Sequence, residues 1–232
     1  MCPIVTWLPT DELPHDGTAV EEWVFAAWTP DGLTGVLSGH RLLGRRAWYW
    51  SAFVQSGYPV LHLAEWDVRV RSDPFVVKAP EMWAEHHCVA PMEQWSIGNE
   101  AHAAALDDPD DALGRAYGVP TPLAVDLEWY ATAPPTTLDG ADGADGGYEQ
   151  PGVVHGVIEL LDRPNVDLAE VPAHRWRRWH LEPGLAPLDV PSVVAHTGLR
   201  APFAFPVGSV TVWVLSPSGW RARARRCGRA RR

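Results

Sequence analysis

The octet Glu81-Met82-Trp83-Ala84-Glu85-His86-His87-Cys88 holds every common kind of metal-binding side chain. On an extended strand side chains alternate, so His86 and Cys88 point one way and Glu85 and His87 the other. Adjacent histidines then cannot clasp one ion without ligands from other strands. None can be identified, and the octet is read as a strand with a polar histidine on each face and no metal. Other histidines stand inside apolar or aromatic runs: His62 in Leu61-His62-Leu63, His155 in Val154-His155-Gly156-Val157, and His174 and His180 around Arg175-Trp176-Arg177-Arg178-Trp179. An imidazole titrates near neutral pH, so beside an aromatic wall it could protonate an alkene or orient a polar end group. His155 and His174 are the candidate acid–base residues, with Glu149 as a partner; the competing reading is a core histidine that is merely hydrogen-bonded. No GxSxG, GxxxxGK or GxGxxG motif is present, which argues against a common α/β hydrolase, an NTPase and a nicotinamide enzyme. Asp107, Asp108, Asp110 and Asp111 lack the spacing and glycine of a calcium loop.

Thirteen tryptophans are spread along the chain. Each buries roughly 150–250 Å² when enclosed, so a β structure lined with them suits a large apolar ligand. An indole face would also stabilise a carbocation formed by protonating such a ligand. Trp48, Trp50, Trp83, Trp129 and Trp176 are the candidate ligand contacts, against the plainer reading that they only pack.

Those residues need strands to position them. With 22 prolines and 20 glycines, helices would be interrupted repeatedly and aromatic strands favoured. Alternation of apolar and polar residues marks 47–54 and 125–131, and similar runs occur at 20–28, 59–70, 81–89, 93–99, 152–160 and 207–215. Turn signals such as Pro30-Asp31-Gly32 separate them. The acidic segment 100–116, broken by Pro109, reads as a loop with one or two helical turns. The stretch 134–147 has no residue able to build a core and reads as a flexible linker. The chain should therefore be mostly β, with two antiparallel barrel-like units: 1–133, then 148–220 as a short or incomplete second unit. A single sandwich with 134–147 as an excursion between adjacent strands is the alternative.

Seven arginines crowd the last twelve residues, leaving 12 basic against 29 acidic residues before them. The body should repel a nucleic-acid backbone, and 221–232 is expected to be a disordered tail. No apolar run is long enough for a membrane span, the first residues do not read as an export signal, and three scattered cysteines suggest neither a disulfide framework nor a zinc site. A cytoplasmic protein is expected.

One segment carries a resemblance. Gly147-Tyr148-Glu149-Gln150-Pro151-Gly152, running on to Leu160, resembles the strand that opens the second domain of the AttH-like, lipocalin-related proteins, which include the carotenoid 1,2-hydratases (hydroxyneurosporene synthases); tocopherol cyclases are similar in architecture. Their Tyr-Glu-Gln-x-Gly segment is followed some twenty residues on by an Arg-Asp-His-Ser-Trp-Gly type motif. Pro172-Ala173-His174-Arg175-Trp176-Arg177 stands at that place, keeping the histidine and tryptophan but replacing the acid by Ala173 and the glycine by Arg177. Segments 125–135 and 21–28 also resemble strands of that two-barrel family. The resemblance implies lipocalin-like barrels and a hydrophobic ligand: an isoprenoid, steroid or lipid-like molecule held in a tryptophan-lined cavity. Without the motif's acid it implies hydratase activity less directly. If there is a reaction, it would be a hydration, cyclisation or isomerisation without cofactor; otherwise the protein is a carrier or a structural β protein with a filled interior.

Overall fold

A computed structural model describes residues 7–15, 20–107, 111, 117–138, 146–161 and 163–181, together with the backbone of three later strands. The strands are β1 (Val20–Trp28), β2 (Thr34–Leu43), β3 (Arg46–Gln55), β4 (Val60–Arg69), β5 (Val76–Ala79), β6 (Met82–Ala90), β7 (Gln94–Leu106), β8 (Val119–Ala131), β9 (Thr136–Thr137), β10 (Gly146–Leu160) and β11 (Val166–Trp179). They form one antiparallel sheet in the order β4-β3-β2-β1-β11-β10-β8-β7-β6-β5, with β9 on β10. The first residues of β4 also pair with the end of β7 (Val60–Leu106, Leu61–Ala105, His62–Ala104), so the sheet curls round and meets itself along a short seam. Beyond that seam β4 and β5 are the two ends of the strand order and do not pair. A separate three-stranded sheet holds β12 (Ala204–Val207), β13 (Thr211–Ser216) and β14 (Gly219–Ala224).

Alternation assigns the faces. Trp23, Phe25 and Ala27 of β1 point inward with Val36 and Leu42 of β2, Tyr49 and Phe53 of β3, Trp95 and Ile97 of β7, and Leu127 and Trp129 of β8. Val24 and Ala26 point outward and meet Leu37, Trp50, Ala52, Val60 and Trp176 in a second buried cluster on the opposite side of the same strands. β1 to β3 are buried on both faces, so polar residues within them, such as Ser38 and Ser51, are enclosed as well. Three bulges bend the sheet, one of them on β6, where Cys88 and Ala90 pair with the adjacent Trp95 and Gln94. Ala47 and Tyr49 pair with Val68 and Glu65, which leaves an extra residue on β4 where Asp67 has φ 61°. On β11 the extra residue falls where Glu170 has φ 51°, opposite the step from Val154 to Gly156.

Gly39 and Gly152 are required by neighbouring indoles. A Cβ on Gly39 would lie 2.1 Å from the Trp50 ring, and one on Gly152 would lie 2.4 Å from Trp129. Bare backbone lets each ring lie flat across the neighbouring strand.

Mostly antiparallel β structure was expected and is found. Several details differ. Residues 100–106 continue β7 instead of turning helical, because Ala101 and Ala103 fill the inner face between Glu100 and His102. The stretch 134–147 contains β9 and ends in the first two residues of β10; β8 and β10 are neighbours in one sheet, so β10 and β11 complete the N-terminal sheet and do not start a sheet of their own. Residues 139–145 lie outside the described residues. Of the expected disordered tail, 221–224 belong to β14 and the remainder lies outside the described residues.

Candidate functional site

Behind the inner aromatic rings lies a buried polar group. On β2 the inward positions Val36, Ser38, His40 and Leu42 place a hydroxyl and an imidazole inside the sheet. Ser38 Oγ lies 2.8 Å from His86 Nε2 and 3.1 Å from the Tyr49 hydroxyl, and Asn99 donates from Nδ2 to Tyr49 OH at 2.9 Å. The ring centroids of His40 and His86 are 5.9 Å apart, with Phe25 and Phe75 beside them. Burial pushes the His40 imidazole down to about 3. Burial, and then the neighbouring His40, hold His86 well below its ordinary range. Both rings are therefore neutral near pH 7. Five buried atoms on this inner face have no hydrogen-bond partner: His40 Nε2, His86 Nδ1, Asn99 Oδ1 and the indole nitrogens of Trp95 and Trp129. Leaving such a group unpaired costs about 1–3 kcal/mol, so polar atoms of water or a guest belong among them.

One end of the curled sheet is strapped by residues 9–15. Glu12 sits within it, taking Arg175 Nη1 at 2.7 Å, Arg175 Nη2 at 2.6 Å, the Tyr148 hydroxyl at 2.6 Å and the Met92 N–H at 2.7 Å. Arg175 also donates to Gln150 and stacks over Trp129, 4.7 Å from its centroid. Arg177 pairs with Glu21, and Glu22 pairs with both Arg41 and Arg178. Each arginine of Arg175-Trp176-Arg177-Arg178 thus meets a carboxylate: Arg175 and Arg177 on the inner side, with Glu12 and Glu21, and Arg178 on the other, where it shares Glu22 with Arg41.

On the outer face, His174 Nε2 and Glu149 Oε2 are 3.2 Å apart, and Trp176 Nε1 donates to the same oxygen at 3.0 Å. The His174 and Trp176 rings lie 4.6 Å apart, and both acid–base groups remain accessible, with His174 22% and Glu149 38% exposed at the side chain. Burial lowers the His174 imidazole, against the pull of Glu149.

A family model described as "Domain of unknown function (DUF7064)" matches residues 8–183. The chain belongs to the DUF7064 family. The matched span runs from the strap to just past β11, so the DUF7064 domain is the large sheet with its strapped end. No curated protein matches. Among solved structures the chain is similar to a Nitrosomonas europaea protein provisionally described as an AttH, at 14% identity and a TM-score of 0.50, covering 97% of this chain and 75% of that one. At that identity the likeness shows a shared AttH-like fold.

The DUF7064 sheet separates the sequence-derived candidates. His174, Glu149 and Trp176 come together. His155 lies six residues from Glu149 along β10, roughly 20 Å for an extended strand, with its ring 5.7 Å from that of Tyr130. Trp48 and Trp50 belong to the outer cluster with Trp176. Trp129 faces inward, and Trp83 borders an outer groove with Glu85 and Glu100. The five tryptophans therefore do not line one cavity; among the described residues the indoles of the inner cluster are Trp23, Trp95 and Trp129. Glu85, His86, His87 and Cys88 alternate as expected, and among the described residues no group of three or more His, Cys, Asp or Glu could hold a metal ion. No helix among the described residues is long and apolar enough to cross a membrane. The sequence reading missed Ser38, His40, Tyr49 and Asn99. Ser38 and His40 share a face with Val36 and Leu42, a signal that becomes legible only once 34–43 is known to be a strand.

Proposed function

We propose that this protein binds a hydrophobic small molecule, isoprenoid, steroid or otherwise lipid-like, against the aromatic inner face, with a polar group of the ligand held by His40, His86 and Asn99. The observation that carries this reading is the set of unpartnered polar atoms on an otherwise apolar face. Two neutral imidazoles and an amide carbonyl offer donors and acceptors without charge, which suits a hydroxyl or carbonyl group. The AttH-like fold is compatible with an interior of this kind. Native mass spectrometry and solvent extraction of freshly purified protein test it. A co-purifying apolar compound, released by His40→Phe or His86→Leu, is expected. An empty protein, whose variants bind the neutral fluorophore phenylnaphthylamine as wild type does, would mean a filled interior.

The His174–Glu149 contact favours a second reading, cofactor-free acid–base chemistry on the outer face. With Nε2–H donated to Glu149, Nδ1 of the neutral ring can accept a proton, and the adjoining Trp48, Trp50 and Trp176 could bind an apolar substrate undergoing hydration, cyclisation or isomerisation. His174→Gln should abolish turnover with ligand affinity kept, and His155→Gln should leave it intact. A carrier has no turnover to lose.

A further inference from the structure

The strand order leaves one place where the sheet is not sewn together. β4 pairs with β7 only through Val60, Leu61 and His62, and below that seam β4 and β5 run side by side as unpaired edges. There a recess of about 520 Å³ opens, lined by Arg45 of the β2–β3 turn, Arg69, Val70 and Arg71 at the end of β4, and Lys78 on β5. All four cationic residues are exposed, and none is paired with a carboxylate among the described residues. The nearby acids are engaged elsewhere: Asp67 pairs with Arg46, and Asp73 Oδ1 accepts the Phe75 N–H. The apolar member, Val70, packs against the inner cluster.

Four like charges converging without a counter-ion, in a chain of net charge −10, repel one another unless an anion joins them. Edge strands do carry charges that discourage pairing with other chains, but such protection needs neither one sign nor a shared recess. We infer that the recess is an anion site, and that the ligand proposed above is an amphiphile carrying a phosphate group, whose head sits among Arg45, Arg69, Arg71 and Lys78 while its chain enters between β4 and β5. This rests on the inner-face reading for the chain, and on the recess alone for the head. Guanidinium groups match phosphate oxygens in pairs, and four cations suit a doubly charged head better than a carboxylate.

Isothermal titration of the full chain with dodecyl phosphate, dodecanoate, dodecanol and inorganic pyrophosphate tests the inference. Dodecyl phosphate should bind at least about 10-fold more tightly than dodecanol, with dodecanoate between them, and the advantage should shrink as salt rises. Arg69→Gln/Arg71→Gln should remove most of the difference while leaving dodecanol binding unchanged. Both residues are exposed, and circular dichroism checks that the sheet is kept. Equal affinity for dodecanol and dodecyl phosphate would overturn the anion site and leave the inner-face reading standing. Pyrophosphate binding that is lost in the double variant, with no binding of any dodecyl compound, would uphold the anion site and overturn the inner-face reading. Variants that aggregate while binding every probe as wild type does would mark the cations as edge protection only.

Discussion

Glu12→Gln tests the strapped end most directly. Glu12 and Arg175 are both essentially removed from solvent, and the carboxylate takes four donors, two of them from Arg175. Removing one partner of such a pair leaves a buried charge uncompensated, which costs about 3–5 kcal/mol. For a domain of this size about 2–4 °C of Tm accompanies each kcal/mol, so a fall of roughly 6–20 °C is expected. The pH dependence sharpens the test. Burial raises the Glu12 carboxyl, but the hydrogen bonds and charge of Arg175, then Tyr148 and Met92, outweigh it and hold it below its ordinary 4.5. A carboxylate so depressed contributes stability that is present above about 4.5 and lost as pH falls through the folded value. Urea unfolding followed by tryptophan fluorescence should therefore show the gap between wild type and Glu12→Gln at pH 7 narrowing as pH falls below about 4.5. Glu12→Leu/Arg175→Met should cost less than either single change, because no charge is then stranded. A loss under about 1 kcal/mol at pH 7, or a gap that ignores pH, would refute the assignment of Glu12 as counter-ion to Arg175.

Three other outcomes are expected from the same packing. Gly39→Ala and Gly152→Ala each push a methyl into an indole and should cost about 1–3 kcal/mol in urea unfolding; a neutral result would mean the rings do not cross those glycines. His40, held near 3 by burial against an ordinary 6.5, stays neutral when folded while the unfolded chain takes up a proton, so its contribution is full above 6.5 and falls as pH drops towards 3; His40→Leu should flatten that slope by on the order of a few kcal/mol, and an unchanged slope would count against its burial. Cys88, whose half-buried thiol is pushed up to about 11 by burial and then by Glu12, should carry about 100-fold less thiolate than an ordinary cysteine at pH 8 and label correspondingly slowly with iodoacetamide, as read by peptide mass mapping.

The strands legible in the sequence include those with one buried face, and also β1 and β3, whose aromatic residues marked 20–28 and 47–54 although both of their faces are buried. Val125, Leu127, Trp129 and Ala131 alternate with Asp126, Glu128 and Tyr130, and β8 lies there. β2 was missed because Gly35-Val36-Leu37-Ser38-Gly39-His40-Arg41 has two glycines, several polar residues and, unlike β1 and β3, no tryptophan, tyrosine or phenylalanine to mark a strand, so it reads as loop. β11 was missed for a non-local reason. Arg175, Arg177 and Arg178 look like solvent residues until Glu12, Glu21 and Glu22, more than 150 positions earlier in the chain, are brought against them. The His174–Glu149 pair was within reach because β10 and β11 are sequential neighbours joined by a short connection. The inner polar group was not, since Ser38, His86 and Asn99 meet only when β2, β6 and β7 curl round the same interior.

That curl also decides which chemistry can be shared. His174 and Arg175 are adjacent in sequence, yet the first faces outward beside Trp176 and the second inward over Trp129. A ligand lying against Trp95, Trp129 and the His40–His86 pair is separated from the His174 imidazole by the full thickness of the sheet, with backbone groups already committed to their ladders. Proton transfer from His174 to a guest on the inner face would need that ladder to open. Inner-face binding and outer-face acid–base chemistry therefore belong to two ligands or to two different readings of the protein. The resemblance motif, which places histidine and tryptophan together, bears only on the outer one. The unpartnered His40, His86 and Asn99 atoms bear only on the inner one, and the cationic recess joins the inner one alone, because its apolar member packs against that side of the sheet.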